Sequence, residues 1–218
     1  MQKDFWLERW QREEIGFHEG VVNAYLTQFW GSMNIAPKGV VFVPLCGKSV
    51  DMQWLREHGH PVIGVELSEL AVQAFFKENG YTPKQSSTAK FKQYEANEIR
   101  ILCGDFFDLG RDDMAGVTAV YDRASMVALP QEMRVRYVRH LVSILPLATK
   151  ILLVTFDYPQ AEMPGPPFAI SPAEVDALYS NHADIQVLAQ IDALPQNPRF
   201  KQRGITRLQE TIYLLKLK

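Results

Sequence analysis

Gly47 and Glu66 are the pair whose types and spacing could do chemistry. A carboxylate can accept hydrogen bonds from two adjacent hydroxyls at once. Placed about 20 residues after a glycine-bearing turn, at the end of the second strand of an α/β unit, it meets a ribose diol. Gly47 stands in Val40-Val41-Phe42-Val43-Pro44-Leu45-Cys46-Gly47-Lys48-Ser49, and Glu66 closes His60-Pro61-Val62-Ile63-Gly64-Val65-Glu66. The single glycine sits where a strand-to-helix loop needs positive φ or room for a ligand near the backbone. The fingerprint G-x-G-x-x-G is absent, because Gly47 is alone. A triphosphate-binding loop also fails: Gly47-Lys48-Ser49 matches its tail, but its first glycine would fall at Phe42. One glycine and one proline leave few N–H groups for a pyrophosphate. A ribose grip without a phosphate cradle points to S-adenosylmethionine, whose tail is an amino acid. The plain alternative is that Glu66 is a polar strand end.

Further candidates fall where strands end. Asp105 and Phe106 follow Ile99-Arg100-Ile101-Leu102-Cys103; a carboxylate there can accept from an adenine amine, or the aspartate simply opens a turn. Arg123 follows Val117-Thr118-Ala119-Val120-Tyr121-Asp122 in an apolar setting, where a cation is costly without a partner. It could hold the cofactor carboxylate, line an acceptor site, or pair with Asp122 as a buttress. Near the N-terminus, Phe5, Trp6 and Trp10 share one helical face and Phe17 follows in a loop. These aromatics either staple the first helix to the body or close over a sulfonium, which aromatic faces attract. The run 157–168 holds Pro159, Pro164, Pro166 and Pro167, so it is no regular element. It lies on the ligand edge, as a wall of an acceptor pocket or a stiff surface loop.

The elements that must position these residues alternate regularly. The pattern predicts strands at 40–43, 61–66, 99–103, 117–121 and 150–156, with helices at 49–58, 68–78, 130–144 and 171–180. Helices are also expected at 4–14 and 21–30. Ser68 is an N-cap with Glu69 in the first turn, and Ser171-Pro172-Ala173-Glu174 is a capping box. Residues 81–97, rich in Lys, Gln, Ser and Thr, read as an exposed connection. Two last strands, at 184–192 and 207–217, form an antiparallel pair joined by 195–204. The expected fold is α/β and Rossmann-like: a seven-stranded, mostly parallel sheet with helices on both faces and an antiparallel C-terminal strand pair.

Composition narrows the classes. The 218 residues, 47% hydrophobic, can fill one α/β domain, and the net charge of −2 argues for no nucleic-acid partner. Arg134, Arg136 and Arg139 read as a solvated helix face. Cys46 and Cys103 lack metal-ligand spacing and an accompanying base, so both read as packing residues in a reducing, cytoplasmic setting, and no metal is expected. No stretch is long and apolar enough to span a membrane, and the first residues do not read as a signal peptide.

Val43-Pro44-Leu45-Cys46-Gly47-Lys48-Ser49, Gly64-Val65-Glu66-Leu67-Ser68-Glu69-Leu70, Asp122-Arg123-Ala124 and Pro164-Gly165-Pro166-Pro167-Phe168 together resemble thiopurine S-methyltransferases of the bacterial type. The resemblance covers nearly the whole chain, including Phe5-Trp6-Leu7-Glu8-Arg9-Trp10. It implies a class I S-adenosylmethionine-dependent methyltransferase fold as a single domain over residues 1–218, with residues 1–35 as an N-terminal helical cap over the active site. It implies methyl transfer from S-adenosylmethionine to the sulfur of a small aromatic or heterocyclic thiol, and extends to selenium and tellurium compounds. Trp10, Leu45, Gly47, Glu66, Asp105, Phe106 and Arg123 would contact the cofactor. Phe17, Arg123 and Arg199 would face the acceptor, with Arg203 as the rival to Arg199, and Arg123 would stabilise the thiolate. A monomer acting on a small-molecule thiol is expected. Two other classes stay open: a nicotinamide-dependent oxidoreductase on a similar fold, against which the missing glycines speak, and a nucleoside-binding module without catalysis.

Overall fold

A computed structural model describes residues 3–16 and 18–218. They fall into two compact units, one running to Tyr121 with Ile144–Pro146 added, the other formed by Asp122–Ser143 and Leu147–Lys218.

The first unit opens with helices α1 (Lys3–Gln11) and α2 (Ala24–Phe29). The second is shorter than the apolar pattern predicts because Asn23 caps it, its Oδ1 accepting from the N–H groups of Tyr25 and Leu26. A 3₁₀ turn, Trp30–Met33, continues the run. Strand β1 (Val40–Val43) follows, then helix α3 (Asp51–Glu57), strand β2 (Val62–Glu66) and helix α4 (Glu69–Glu78). β-Branched runs buried on both faces are what a parallel strand requires, and β2 is buried throughout. Ser68 caps α4, its Oγ accepting from Ala71 N–H.

Strands β3 (Lys84–Ser87) and β4 (Lys92–Ala96) come next, before β5 (Ile99–Cys103) and β6 (Val117–Arg123), whose last two residues belong to the second unit. β1 pairs in parallel with β2 and β6, and β2 with β5. β3 and β4 form an antiparallel hairpin, and β4 runs antiparallel to β5, giving the order β3-β4-β5-β2-β1-β6. The expected exposed connection is thus two strands, and the described residues form nine strands where seven are expected. Its turn is held by Thr88, whose Oγ1 accepts from the N–H groups of Lys90 and Phe91.

The second unit contains helices α5 (Gln131–Ile144), α6 (Pro172–Tyr179) and α7 (Pro198–Gln202), and strands β7 (Lys150–Asp157), β8 (Ala183–Asp192) and β9 (Gln209–Leu217). β9 lies between β7 and β8 and is antiparallel to both. The loop joining β8 to β9 is not irregular throughout, since Pro198 starts the short helix α7 within it. Tyr158, Met163, Ala193, Ile205 and Leu208 pack as a small core beneath these connections. Among the described residues, no helix is long and apolar enough to cross a membrane.

Candidate active site

The turn after β1 carries two left-handed residues, Leu45 at φ 45° and Gly47 at φ 53°. That geometry turns the Gly47 N–H onto the carboxylate of Glu66, 2.9 Å from Oε2. On the other oxygen, Oε1, Glu66 accepts from Ser68 N–H at 2.7 Å. The carboxylate is buried at the carboxyl end of β2. Burial pushes its pKa up, and the N–H groups of Ser68, Gly47 and Leu67 work in the opposite direction. A carboxylate has about four lone-pair positions, so beside the hydrogen bonds from Gly47 and Ser68 acceptor capacity remains for two vicinal hydroxyls. A ribose diol, donating both hydroxyls, therefore fits this acceptor.

Trp10, from the last turn of α1, covers this loop. A Cβ built on Gly47 would lie 3.2 Å from Trp10 Cζ2, so the indole rests directly on the glycine. Trp10 is the buried residue of α1, while Phe5 and Trp6 are half-buried. The face is less continuous than the spacing predicts. Phe17 lies outside the described residues. After β5, Gly104 N–H donates to Glu66 O, which brings Asp105 and Phe106 to the neighbouring strand end. Asp105 accepts from Phe107 N–H through Oδ1 at 2.9 Å, while Oδ2 lies 2.7 Å from Lys3 Nζ. Phe106 is buried. The structure therefore gathers Trp10, Leu45, Gly47 and Glu66 round one turn of the first unit, with Asp105 and Phe106 at the adjoining strand end.

In the second unit, Arg123 is half-buried at the end of β6, followed by Ala124 at φ 68°. Asp122 is fully buried and is held by Tyr137 Oη–H at 2.7 Å and Met126 N–H at 3.4 Å. These donors, with the Ser125 hydroxyl, account for its burial; desolvation nonetheless raises its pKa to about 6. Arg199 is exposed in the first turn of α7. Arg203 follows that helix, and its Nη1 approaches Met163 Sδ at 3.7 Å, in the loop after β7. Cys46 and Cys103 behave as packing residues: burial raises both thiols, Cys103 to about 11.

Across the whole chain, residues 1–218, the sequence matches the family model "Thiopurine S-methyltransferase (TPMT)". A thiopurine S-methyltransferase of Nitrosospira multiformis is 62% identical over 215 residues, covering 99% of this chain and 98% of that protein. One from Pseudomonas fluorescens is 48% identical, covering 99% of each. The chain belongs to the thiopurine S-methyltransferase family. It is an enzyme that uses S-adenosylmethionine as methyl donor. Solved structures with the same fold include a SAM-dependent methyltransferase of Anabaena variabilis, with a TM-score of 0.68 at 14% identity over 99% of this chain and 95% of that one. Another is a 1,6-didemethyltoxoflavin-N1-methyltransferase of Burkholderia thailandensis solved with S-adenosylhomocysteine, with a TM-score of 0.64 at 13% identity over 99% and 86%. These likenesses confirm the class I methyltransferase fold.

Three polar residues near these segments escape a sequence reading. Lys3 pairs with Asp105 across about a hundred residues of chain. Asp51, in the first turn of α3, is buried and accepts from Asn23 N–H at 2.8 Å and Tyr121 Oη–H at 3.0 Å. Arg134 is buried, not part of a solvated face; Arg136 and Arg139 alone are exposed. Its partner is Glu174, which accordingly does not reach back to close a capping box. Ser171 still caps α6 through its Oγ, which accepts from Glu174 N–H.

Proposed function

We propose that this enzyme methylates the sulfur of a small aromatic or heterocyclic thiol, thiopurines included, and that selenium and tellurium species are further acceptors. The observation that carries the donor side is the buried Glu66 carboxylate, held by Gly47 and Ser68 N–H groups beneath Trp10. In this reading Glu66 holds the ribose hydroxyls, and Leu45 and Gly47 let the ligand approach the turn. Asp105 and Phe106 hold the adenine, and Trp10 covers the sulfonium. The donor supplies an already activated methyl group, so the protein mainly positions and desolvates. Arg123 contacts both the donor's carboxylate end and the acceptor. Its guanidinium favours the thiolate by opposite charge, and no general base is needed. Phe17 and Arg199 complete the acceptor contacts, with Arg203 in place of Arg199 if its proximity to Met163 governs. The loop 157–168 forms a wall for the acceptor. We take residues 1–218 as a single methyltransferase domain capped by residues 1–35, a cytoplasmic monomer with no nucleic-acid or membrane partner.

Calorimetric titration with S-adenosylhomocysteine, NADH in parallel, on wild type and Glu66→Ala tests the donor reading. Micromolar binding of the nucleoside that is lost in Glu66→Ala supports it. NADH binding instead would return the chain to the oxidoreductase class, and nucleoside binding without turnover of any thiol would leave a binding module. For the acceptor side, Arg123→Ala should raise the acceptor KM and shift the pH–rate profile upward. Unchanged values of both would remove Arg123 from thiolate stabilisation.

A further inference from the structure

The loop after β7 has an unusual anchoring problem. Pro164, Pro166 and Pro167 have no N–H, so this stretch offers the rest of the unit mainly carbonyl acceptors. Side-chain donors must come to it. Tyr158 Oη–H donates to Pro167 O at 2.6 Å, and Gln160 Nε2 donates to Met163 O at 2.6 Å. The third donor comes from a distant element. Arg134, in the first turn of α5, sends Nη1 to Ala169 O at 3.0 Å and Nε to Leu129 O at 2.9 Å. The same Nη1 lies 2.7 Å from both oxygens of Glu174 in α6. The guanidinium is buried, with a side chain only 3% exposed. One side chain thus ties the turn after β6, the end of the proline loop and the start of α6. The loop's own N–H groups meet the same frame: Phe168 N–H donates to Val127 O at 2.7 Å and Ile170 N–H to Phe156 O at 2.6 Å.

A solvent-exposed ion pair would need no such explanation. A buried cation must be matched by acceptors or it destabilises the fold, and a hydrophobic pair of similar volume would serve stability as well or better. What a hydrophobic pair cannot do is hold Ala169 O and Leu129 O in fixed positions. We propose that Arg134 is the positioning residue of the acceptor wall, setting the place of residues 163–170 and hence the fit of the thiol acceptor. This rests on the reading that the loop is that wall. Arg134 acts through the loop and does not touch the reacting atoms, so its loss moves acceptor affinity and leaves donor affinity alone.

Arg134→Lys keeps the charge beside Glu174 but cannot reach both carbonyls. Steady-state kinetics with a thiopurine acceptor, calorimetry with S-adenosylhomocysteine and amide exchange at Phe168 and Ile170 are run on wild type, Arg134→Lys, Glu174→Gln and Phe168→Ala. Arg134→Lys should raise the acceptor KM about tenfold, the factor one lost charge-assisted hydrogen bond supplies. Exchange at Phe168 and Ile170 should quicken, and the nucleoside Kd should stay within about twofold of wild type. Glu174→Gln, which leaves Arg134 on both carbonyls, should hold the acceptor KM within about twofold. A rise in Glu174→Gln equal to that of Arg134→Lys assigns the effect to the ion pair and overturns the proposal. An unchanged KM in Arg134→Lys beside a raised KM in Phe168→Ala also overturns it while keeping the wall. An unchanged KM in both removes the wall reading and the proposal together. If Arg134→Lys melts below the assay temperature, the paired variant Arg134→Met with Glu174→Leu, which removes both buried charges at once, carries the same comparison.

Discussion

Asp122→Asn should make the protein gain stability relative to wild type as pH rises from 4 to 7. Asp122 is wholly buried, and burial raises its carboxyl from 3.8 to about 6. The Tyr137 hydroxyl and the Met126 N–H favour the ionised form but do not offset the lost hydration. The folded state therefore binds this proton more tightly than the unfolded chain. Between pH 4 and 6 the unfolded state holds fewer protons, so stability falls as pH rises through that window and levels above it. The gap between 3.8 and about 6 corresponds to about 3 kcal/mol in favour of the neutral acid. In a chain of this length each kcal/mol moves Tm by about 2–4 °C, so the contribution is about 6–12 °C. Asparagine has the same shape, keeps a carbonyl oxygen for Tyr137 and does not titrate. Thermal melts of both proteins at half-unit pH steps give the difference in Tm, variant minus wild type. Groups common to both, Glu66 among them, cancel. The difference should climb by about 5–10 °C between pH 4 and 7, because at pH 4 the unfolded carboxyl is already about 60% ionised and less than the full gap of about 3 kcal/mol remains. A difference that stays flat across that range would refute the reasoning, because Asp122 would then be ionised in the fold at no cost.

Gly47→Ala places a Cβ at φ 53° and 3.2 Å from the Trp10 ring, so it should lower stability by about 1–2 kcal/mol and weaken S-adenosylhomocysteine binding in calorimetry. Asp51→Ala leaves the Tyr121 hydroxyl and the Asn23 N–H without their carboxylate and should cost about 2–4 kcal/mol in urea unfolding, with Asp51→Asn costing less. Cys103, its thiol raised to about 11, should react with a disulfide reagent at pH 7.5 about a hundredfold or more slowly than a free thiol, and at the free-thiol rate once the chain is unfolded in urea.

Most of the parallel core was legible because its signal is local. Val40–Val43 and Val62–Glu66 are β-branched runs, and burial on both faces of a parallel strand demands that composition. Helix starts at Ser68 and Ser171 were legible because a cap needs only neighbours in sequence. The hairpin of β3 and β4 was not, since all four residues of β3 are exposed and carry no alternation. Those strands exist because β4 can ladder onto β5 and β3 onto β4. Arg134 was misread for a related reason. Its helix neighbours Arg136 and Arg139 face solvent, and nothing local distinguishes the one arginine that meets Glu174 forty residues on.

By itself the sequence determined the family, the strand–turn–helix–strand unit and the spacing that lets Gly47 face Glu66. Those are properties of short segments, where propensity and side-chain period dominate. Only the tertiary structure decided which polar groups are buried and what satisfies them. Asp51 beneath Tyr121, Asp122 against Tyr137 and Arg134 across the proline loop each join segments whose proximity no local pattern encodes. A buried charge is tolerated only where the folded chain brings its partners to it, so its place is fixed by packing rather than by the residues beside it.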